Sequence, residues 1–344
     1  MRWRRKPSGS RLPISSPLSV NEIGKTGLRV TRLGLGGAPL GGLFESVREE
    51  DARATLSAAY GAGIRYFDTA PFYGHGRSEL RVGAFLCERP RDEFVLSTKV
   101  GRVLVPAAED AIEDHQYKDV LPLNPVFDFS ADGILRSFES SLQRLGLERI
   151  DILHVHDPDA HYRTVVDEAF PALSRLRDEG RIAAIGAGMN QWEMLYDFAR
   201  EADFDCFLLA GRYTLLDQSA FPQLLTECEK RGISILIGGP YNSGVLAAGS
   251  RGSGHYNYER PAPAILEKVA RLETVASRHG VPLKAAALQF PLAHPAVASV
   301  IPGARTAAEV EENVRMFSHP IPSVFWSELL VERLVPEEAP LPQR

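Results

Sequence analysis

Residues 63–86 read GIRYFDTAPFYGHGRSELRVGAFL. The apolar run Ile64–Asp68 has the length and composition of a short buried strand. After a glycine-containing loop, Ser78–Leu86 shows the spacing of apolar residues that is typical of an amphipathic helix. This segment therefore predicts one strand–loop–helix unit.

The same unit recurs along the 344-residue chain. The other predicted strands and their helices are Leu28–Leu35 with Asp51–Ala62, Phe94–Lys99 with Ala131–Leu145, Ile150–His156 with Thr164–Glu179, Ala183–Ala187 with Trp192–Ala202, Cys206–Gly211 with Phe221–Arg231, Ser234–Gly238 with Ala264–His279 and Leu283–Leu292, and Val297–Ile301 with Ala307–Phe317. Eight such units predict an α/β fold, an eight-stranded parallel (β/α)8 TIM barrel. A doubly wound open sheet is the alternative.

The predicted barrel forms a single domain over residues 21–344, preceded by a disordered tail over residues 1–20. A C-terminal extension begins at about residue 318 and contains a short helix at Trp326–Leu334, which either covers the barrel mouth or packs outside. Three long loops follow strands, at Gly36–Glu49, Gly101–Ser130 and Tyr241–Pro263. Loops after barrel strands lie at the catalytic face, so we expect these three to build the substrate site.

Composition narrows the range of functions. The formal net charge is −5, which gives no reason to expect nucleic acid as a partner. No apolar stretch approaches the roughly 20 residues that a membrane helix needs. The three cysteines are widely spaced and form no CxxC motif, so a reducing cytoplasm is expected.

Four side chains with complementary chemistry fall at neighbouring strand ends. Asp68, Lys99 and His156 end the second, third and fourth predicted strands, and Tyr73 lies in the loop after Asp68. A phenol has an ordinary pKa of about 10, which a neighbouring ammonium lowers. A buried carboxylate holds the ammonium, and an imidazole orients a bound carbonyl or hydroxyl. His154 lies deeper on the same strand, where barrel packing or support of the site is expected.

At this point the sequence resembles the aldo-keto reductase family. The matching segments, in family order, are GIRYFDTAPFYGHGRSE, LSTKVG, IDILHVHDPD and IPGARTAAEVEENV. The resemblance implies a β/α barrel, interconversion of carbonyls and alcohols, and a nicotinamide dinucleotide lying across the barrel mouth. It also carries the family's catalytic tetrad onto Asp68, Tyr73, Lys99 and His156.

The resemblance places the cofactor along the later strand ends and the last helix of the barrel. The residues expected to bind it are Gly37, Asn190, Gly238, Pro240, Tyr241, Gly244, Ile301, Gly303, Ala304, Arg305, Glu309, Glu312 and Asn313. The start of the last helix offers backbone N–H groups to phosphate, and Glu312 and Asn313 match the family's adenine contacts. Asn190 is expected to hold the carboxamide.

Several positions depart from the family's usual residues. Gly303 and Glu309 stand where many members have cations, Ala210 replaces a common glutamine, and Gly238 replaces a stacking aromatic residue. The 2′-phosphate of NADP favours a nearby cation. NAD is therefore expected to be used at least as well as NADP, with Arg305 as the residue that could make the enzyme accept both.

Three more segments, HVHDPD, GMNQWEML and GGPYNSGVL, resemble a branch that contains L-fucose, D-arabinose and L-galactose dehydrogenases and pyridoxal 4-dehydrogenases. A small-molecule substrate, a sugar or another polar aldehyde, is expected, with His75, Asn124 and His255 as polar candidates on the rim loops. The alternatives are pyridoxal 4-dehydrogenase, a general aldehyde reductase, a non-catalytic cofactor-binding regulatory module, and a metal enzyme using His154 and His156. No metal ligands are assigned, and the sequence leaves the oligomeric state open.

Overall fold

A computed structural model describes residues 19–112 and 116–342. Its centre is a sheet of eight parallel strands, each hydrogen-bonded to the next strand of the sheet along the chain. Their bounds are β3 Leu35–Gly36, β4 Tyr66–Asp68, β5 Val95–Val100, β8 Ile152–His156, β9 Ala184–Met189, β10 Cys206–Ala210, β11 Ser234–Gly238 and β12 Val297–Ile301. Parallel bridges join Leu33 to Val300 and Gly36 to Gly303. These bridges close the sheet, so the predicted (β/α)8 barrel is confirmed.

Helices cover the outside of the barrel. They are α1 Glu49–Gly61, α2 Arg77–Leu86, α3 Ala131–Leu145, α4 Tyr162–Thr164, α5 Phe170–Asp178, α6 Trp192–Glu201, α7 Gln223–Arg231, α8 Val245–Ala248, α9 Pro263–Arg278, α10 Leu283–Gln289, α11 Ala307–Phe317 and α12 Ser323–Val331. A π-helical turn at Val165–Ala169 joins α4 to α5. None of the described helices is long and apolar enough to cross a lipid bilayer.

Local sequence explains where these elements begin and end, as α3 illustrates. The Ser130 hydroxyl accepts a hydrogen bond from the Gly133 backbone N–H at 3.1 Å, which satisfies a donor that the first helical turn leaves unpaired. Gly146 ends the helix with a left-handed φ of 62°, a conformation that glycine adopts without steric cost. These two signals fix both ends of α3 at the predicted residues.

A hairpin outside the barrel sheet closes the amino-terminal end of the barrel. Strands β1 (Val20–Glu22) and β2 (Arg29–Thr31) pair antiparallel, and Ile23 and Val30 pack into the apolar cluster at that end. The first predicted strand was therefore wrong in extent, because its first half belongs to this hairpin and only its end joins the barrel. The predicted tail over residues 1–20 lies outside the described residues, except that Val20 begins β1 and Ser19 precedes it.

Two further segments lie outside the barrel sheet: a second hairpin and the C-terminal helix. The long loop after β5 carries a second hairpin, β6 (Arg102–Pro106) and β7 (Leu123–Phe127), near the carboxyl ends of the barrel strands. The C-terminal helix α12 packs outside the barrel against α9, where Glu328 pairs with Arg278 and His279. Of the two expected positions for the C-terminal segment, the structure therefore shows the outer one for α12.

Candidate active site

A buried ion pair lies at the carboxyl ends of β4 and β5. The Lys99 ammonium donates to Asp68 Oδ2 at 2.7 Å and to the Thr69 carbonyl at 2.9 Å. The side chains are 1% and 3% exposed. Ser97 donates to the other oxygen of Asp68 at 2.7 Å, and Tyr66 lies 3.0 Å from Ser97 Oγ. Both carboxylate oxygens are thus fixed, and the ammonium has one defined position.

Tyr73 and His156 face this ion pair. The Lys99 ammonium lies 4.5 Å from the centre of the Tyr73 ring. The His156 imidazole meets the same ring edge-on, with centroids 5.9 Å apart. The structure therefore brings together all four residues that the sequence placed in the tetrad. A proton donor and acceptor, a cation and a neutral hydrogen-bonding ring now stand within one small volume.

Burial sets the protonation states at this site. It raises the pKa of Tyr73 well above its usual value, with the negative charge of Asp68 as the next cause. This direction is opposite to the lowering that the sequence suggested, because burial disfavours the charged phenolate and the Asp68 carboxylate adds to that effect. Burial, followed by the positive charges of Arg102 and Lys99, lowers the pKa of His156 well below its usual value. Tyr73 is therefore protonated and His156 neutral at neutral pH.

His154 lies deeper in the barrel and is fully buried. It packs so closely on Gly186 that a Cβ there would come within 2.1 Å of its Nδ1. Burial, with a smaller contribution from Lys99, lowers the pKa of His154 to about 3. These contacts place His154 in the barrel packing, one of the two roles expected for it. Among the described residues, no group of three or more His, Cys, Asp or Glu side chains is arranged to hold a metal ion.

A cavity of about 390 Å³ opens above the four residues. It is lined by Ala38, Leu43, Phe72, Tyr73, Lys99, Gln116, Tyr117, His156, Asp157, Gly188, Met189, Asn190, Leu208, Ala210 and Tyr258. The sequence interpretation missed Phe72, Tyr117, Asp157 and Tyr258 as lining residues. Loop length did predict that the three long loops would meet here, but no local pattern shows which of their side chains point inward.

The three loops touch one another over the cavity. Leu43 pairs with Tyr117 across the first two loops, and Phe44 stacks on His255 of the third with ring centroids 4.6 Å apart. Of the three polar candidates, His255 therefore lies in the loop roof. His75 is fully buried, and Asn124 donates to the Ala111 carbonyl at 2.8 Å; neither of these, nor His255, lines the cavity.

The strand ends on the far side of the cavity suit a flat ring. Gly188, Ala210 and Gly238 carry little or no side chain at the ends of β9, β10 and β11. The Asn190 amide lies beside them and donates to the Ala210 carbonyl at 3.1 Å. A nicotinamide ring fits this shallow surface next to Lys99, and Asn190 offers the matching carboxamide hydrogen bonds. The residues present therefore fit the dinucleotide that the fold implies.

The predicted cofactor residues after β11 and β12 lie outside the cavity lining. Tyr241 donates to Asn313 Oδ1 at 2.7 Å, and Glu312 pairs with Lys284 at 2.8 Å. Gly244 is the N-cap residue that precedes the short helix α8, Ile301 ends β12 and Ala304 is buried. Pro240 lies between β11 and α8. The Tyr241–Asn313 hydrogen bond links the loop after β11 to α11, and cofactor binding by these positions stays a prediction.

Two glycines have packing reasons that the sequence did not reveal. A Cβ on Gly303 would come within 2.5 Å of Pro39 Cγ, so a lysine cannot stand there without moving the first long loop. A Cβ on Gly37 would come within 2.7 Å of both the Asp68 carbonyl and Ser78 Oγ. Gly37 thus lets β3 approach β4, and close approach to a cofactor is not needed to explain it.

Arg305 is held by two carboxylates. Its guanidinium lies 2.6 Å from Glu45 Oε2 and 3.2 Å from Glu309 Oε1. Glu309 also accepts the Arg305 backbone N–H at 2.7 Å, and its own N–H is capped by Thr306 at 3.2 Å. Glu309 is therefore part of the N-terminal cap of α11. Arg305, the cation between β12 and α11, is already paired with two carboxylates.

Acid–base groups beside a cavity at the carboxyl face of a barrel define the protein's class, a barrel oxidoreductase of carbonyls and alcohols. The profile of the aldo/keto reductase family matches residues 32–330. The chain belongs to this family, whose members use a nicotinamide cofactor.

Two relatives and one solved structure are similar to this chain over most of its length. A pyridoxal 4-dehydrogenase from Microbacterium luteolum is 42% identical over 332 residues, which cover 91% of this chain and 97% of that protein. A D-threo-aldose 1-dehydrogenase from a Pseudomonas species is 42% identical over 318 residues, 90% of this chain and 96% of that one. The structure of a glycerol dehydrogenase from Gluconobacter oxydans superimposes with a TM-score of 0.74 at 25% identity, covering 94% of this chain and 97% of the other.

Proposed function

We propose that this protein is an aldose 1-dehydrogenase. It oxidises the cyclic hemiacetal of a sugar of the L-fucose, D-arabinose or L-galactose type to the lactone. A nicotinamide dinucleotide held beside Lys99 and Asn190 would supply the acceptor for the hydride released from C1. The proton of the C1 hydroxyl passes to Tyr73, and its oxygen becomes the lactone carbonyl oxygen.

The observation that carries this proposal is the placement of Tyr73 and His156 around the Lys99–Asp68 pair at the base of a half-polar cavity. Neutral His156 can donate a hydrogen bond to the substrate oxygen and orient it toward Tyr73. Lys99, 4.5 Å from the phenol ring, stabilises the phenolate that must form before Tyr73 can accept a proton. Asp68 holds the ammonium in that position throughout.

The raised pKa of Tyr73 sets the direction of the pH dependence. A protonated phenol is an acid, so it favours reduction at low pH, whereas oxidation needs the phenolate. We therefore expect the oxidation rate to rise with pH up to the pKa that Tyr73 has in the complex with cofactor and substrate. The cationic nicotinamide ring of a bound oxidised cofactor would act in the same sense as Lys99.

NAD is the proposed cofactor. The 2′-phosphate of NADP carries close to two negative charges and needs an available cation. Arg305 is engaged by Glu45 and Glu309, and Pro39 closes the space at Gly303. The two carboxylates would also repel the phosphate, at a cost on the order of 1 kcal/mol each in a partly exposed site. Both features favour a ribose without phosphate.

Pyridoxal is the second candidate substrate. Phe72 and Tyr117 line the cavity with ring centroids 5.4 Å apart, and Tyr258 adds a third aromatic side chain. Because Phe72 and Tyr117 meet edge to face, they offer one ring face and one ring edge against which a flat heteroaromatic ring can pack. The similarity to a pyridoxal 4-dehydrogenase supports this candidate as much as the aldose relative supports the first.

Initial-rate oxidation decides between them. Purified protein is assayed with NAD and with NADP against L-fucose, D-arabinose, L-galactose and pyridoxal, with Tyr73→Phe as the control for contaminating activity. A kcat/KM for one of the aldoses at least tenfold above that for pyridoxal, with NAD preferred, supports the proposal. The reverse order would establish the pyridoxal candidate, and no oxidation of any of the four would refute both.

A further inference from the structure

Asp157 has an unusual position in the cavity wall. It directly follows His156 at the end of β8 and lines the cavity. Its φ of 44° lies in the left-handed region, which non-glycine residues rarely occupy although aspartate tolerates it better than most. Its backbone N–H donates to the Gly188 carbonyl at 3.0 Å, and this bond holds the chain in that conformation. Strained backbone of this kind is retained where it directs a functional side chain.

A rigid clamp fixes one oxygen of the Asp157 carboxylate. Arg102 Nη2 lies 2.6 Å from Oδ2. The guanidinium itself lies between two rings, 4.1 Å from the centre of Phe72 and 4.6 Å from that of Phe127. Arginine stacked in this way has little freedom to move, so the orientation of the carboxylate is set before any substrate arrives.

The other oxygen of Asp157 has no such partner. Within the described part of the chain, its side-chain hydrogen bond and ion-pair contacts all involve Oδ2. The side chain is 26% exposed and its exposed part belongs to the cavity wall. A carboxylate oxygen only accepts hydrogen bonds, so an unpartnered one on a cavity-lining residue is suited to a ligand that donates them.

We propose that Asp157 is a specificity-determining residue that recognises ring hydroxyls of the sugar. This rests on the proposed aldose oxidation and names a contact within it. A cyclic aldose presents hydroxyl donors next to the reacting C1–OH, and Asp157 lies next to His156, the residue that orients that C1–OH. Oδ1 accepts a hydrogen bond from one of these hydroxyls, while Arg102 keeps the carboxylate in place. The hydroxyl-bearing side of the ring therefore lies toward β8.

Burial raises the pKa of Asp157, and the charge of Arg102 opposes that rise. The positive charge of Arg102 therefore favours the ionised form of the carboxylate. A hydrogen bond to a charged acceptor contributes more binding free energy than a hydrogen bond between neutral groups. Losing one such bond is enough to lower kcat/KM about 10- to 100-fold. Replacement by asparagine keeps the size of the side chain and removes the charge.

The test compares two substrates that undergo the same reaction. One is the preferred aldose, and the other is 2-hydroxytetrahydropyran, a cyclic hemiacetal without further hydroxyls. Asp157→Asn is expected to lower kcat/KM for the aldose about 10- to 100-fold, mainly through KM. Its effect on 2-hydroxytetrahydropyran should be at least tenfold smaller. Asp159→Asn, an exposed neighbour, is the matched control and should leave both values near those of the wild type.

An equal loss with both substrates would show that Asp157 only positions His156 and would overturn the proposal, as would no loss with either. If Asp157→Asn is not folded by circular dichroism, Arg102→Gln takes its place. It keeps the carboxylate but frees it, and should raise KM for the aldose more than for 2-hydroxytetrahydropyran. Wild-type protein that oxidises no aldose would refute the proposed function and this assignment together, whereas aldose oxidation with uniform losses would refute the assignment alone.

Discussion

Removing one partner of the Lys99–Asp68 pair tests the centre of the site. Asp68→Asn leaves the ammonium of Lys99, which is 1% exposed, without its carboxylate. At 2.7 Å two unit charges attract by about 6 kcal/mol at an effective dielectric constant of ~20. Breaking a buried pair in this way typically costs about 3–5 kcal/mol.

A decrease of about 4 kcal/mol in the free energy of unfolding gives a measurable decrease in Tm. With an unfolding entropy of ~2.1 cal/mol/K per residue, a protein of this length loses about 5–6 °C in Tm. The assay is thermal unfolding followed by circular dichroism, together with initial rates. The matched control is Asp68→Asn combined with Lys99→Met, which removes both charges and should recover most of the stability but none of the activity. A single variant as stable as the wild type would refute the reasoning, as would a double variant less stable than the single one.

Four further outcomes are expected. Tyr73→Phe should lower kcat by at least ~10²-fold and leave the cofactor Kd, measured by fluorescence titration, little changed. Tyr117 stacks on Tyr73 with ring centroids 6.1 Å apart, and Tyr117→Phe, the control, should lower kcat far less. Lys99→Met should shift the pH–rate profile of oxidation to higher pH, because the phenolate loses its cation; an unshifted profile would contradict this role. Glu309→Arg should raise the ratio of NADP to NAD kcat/KM several-fold, and an unchanged ratio would exclude Glu309 as the discriminating residue. The free energy of unfolding of the wild type should fall as the pH drops below about 6.5, because His154 binds a proton in the unfolded chain but, with its pKa of about 3, stays neutral in the folded one. His154→Gln should make Tm depend less on pH between about 6.5 and 3.

Local sequence patterns were enough to predict the barrel and the strand ends at which the four tetrad residues lie. Alternation of strands and helices is a local property, recorded in apolar spacing and in caps such as Ser130 and Gly146. Once eight parallel strands close, their carboxyl ends must share one rim. The order of the strands alone therefore predicts that Asp68, Lys99 and His156 lie close together at this rim. The structure does bring these three residues together with Tyr73.

Properties that depend on contacts between distant segments could be read only from the folded chain. The direction of the Tyr73 pKa shift follows from burial and from the nearby negative charge of Asp68. The clamp of Arg102 on Asp157 joins a loop hairpin to a strand end. The space at Gly303 is set by Pro39. Periodicity and capping describe neighbours along the chain, whereas desolvation, charge compensation and steric exclusion are set by neighbours in space. These three determine what the site can bind and when it holds a proton.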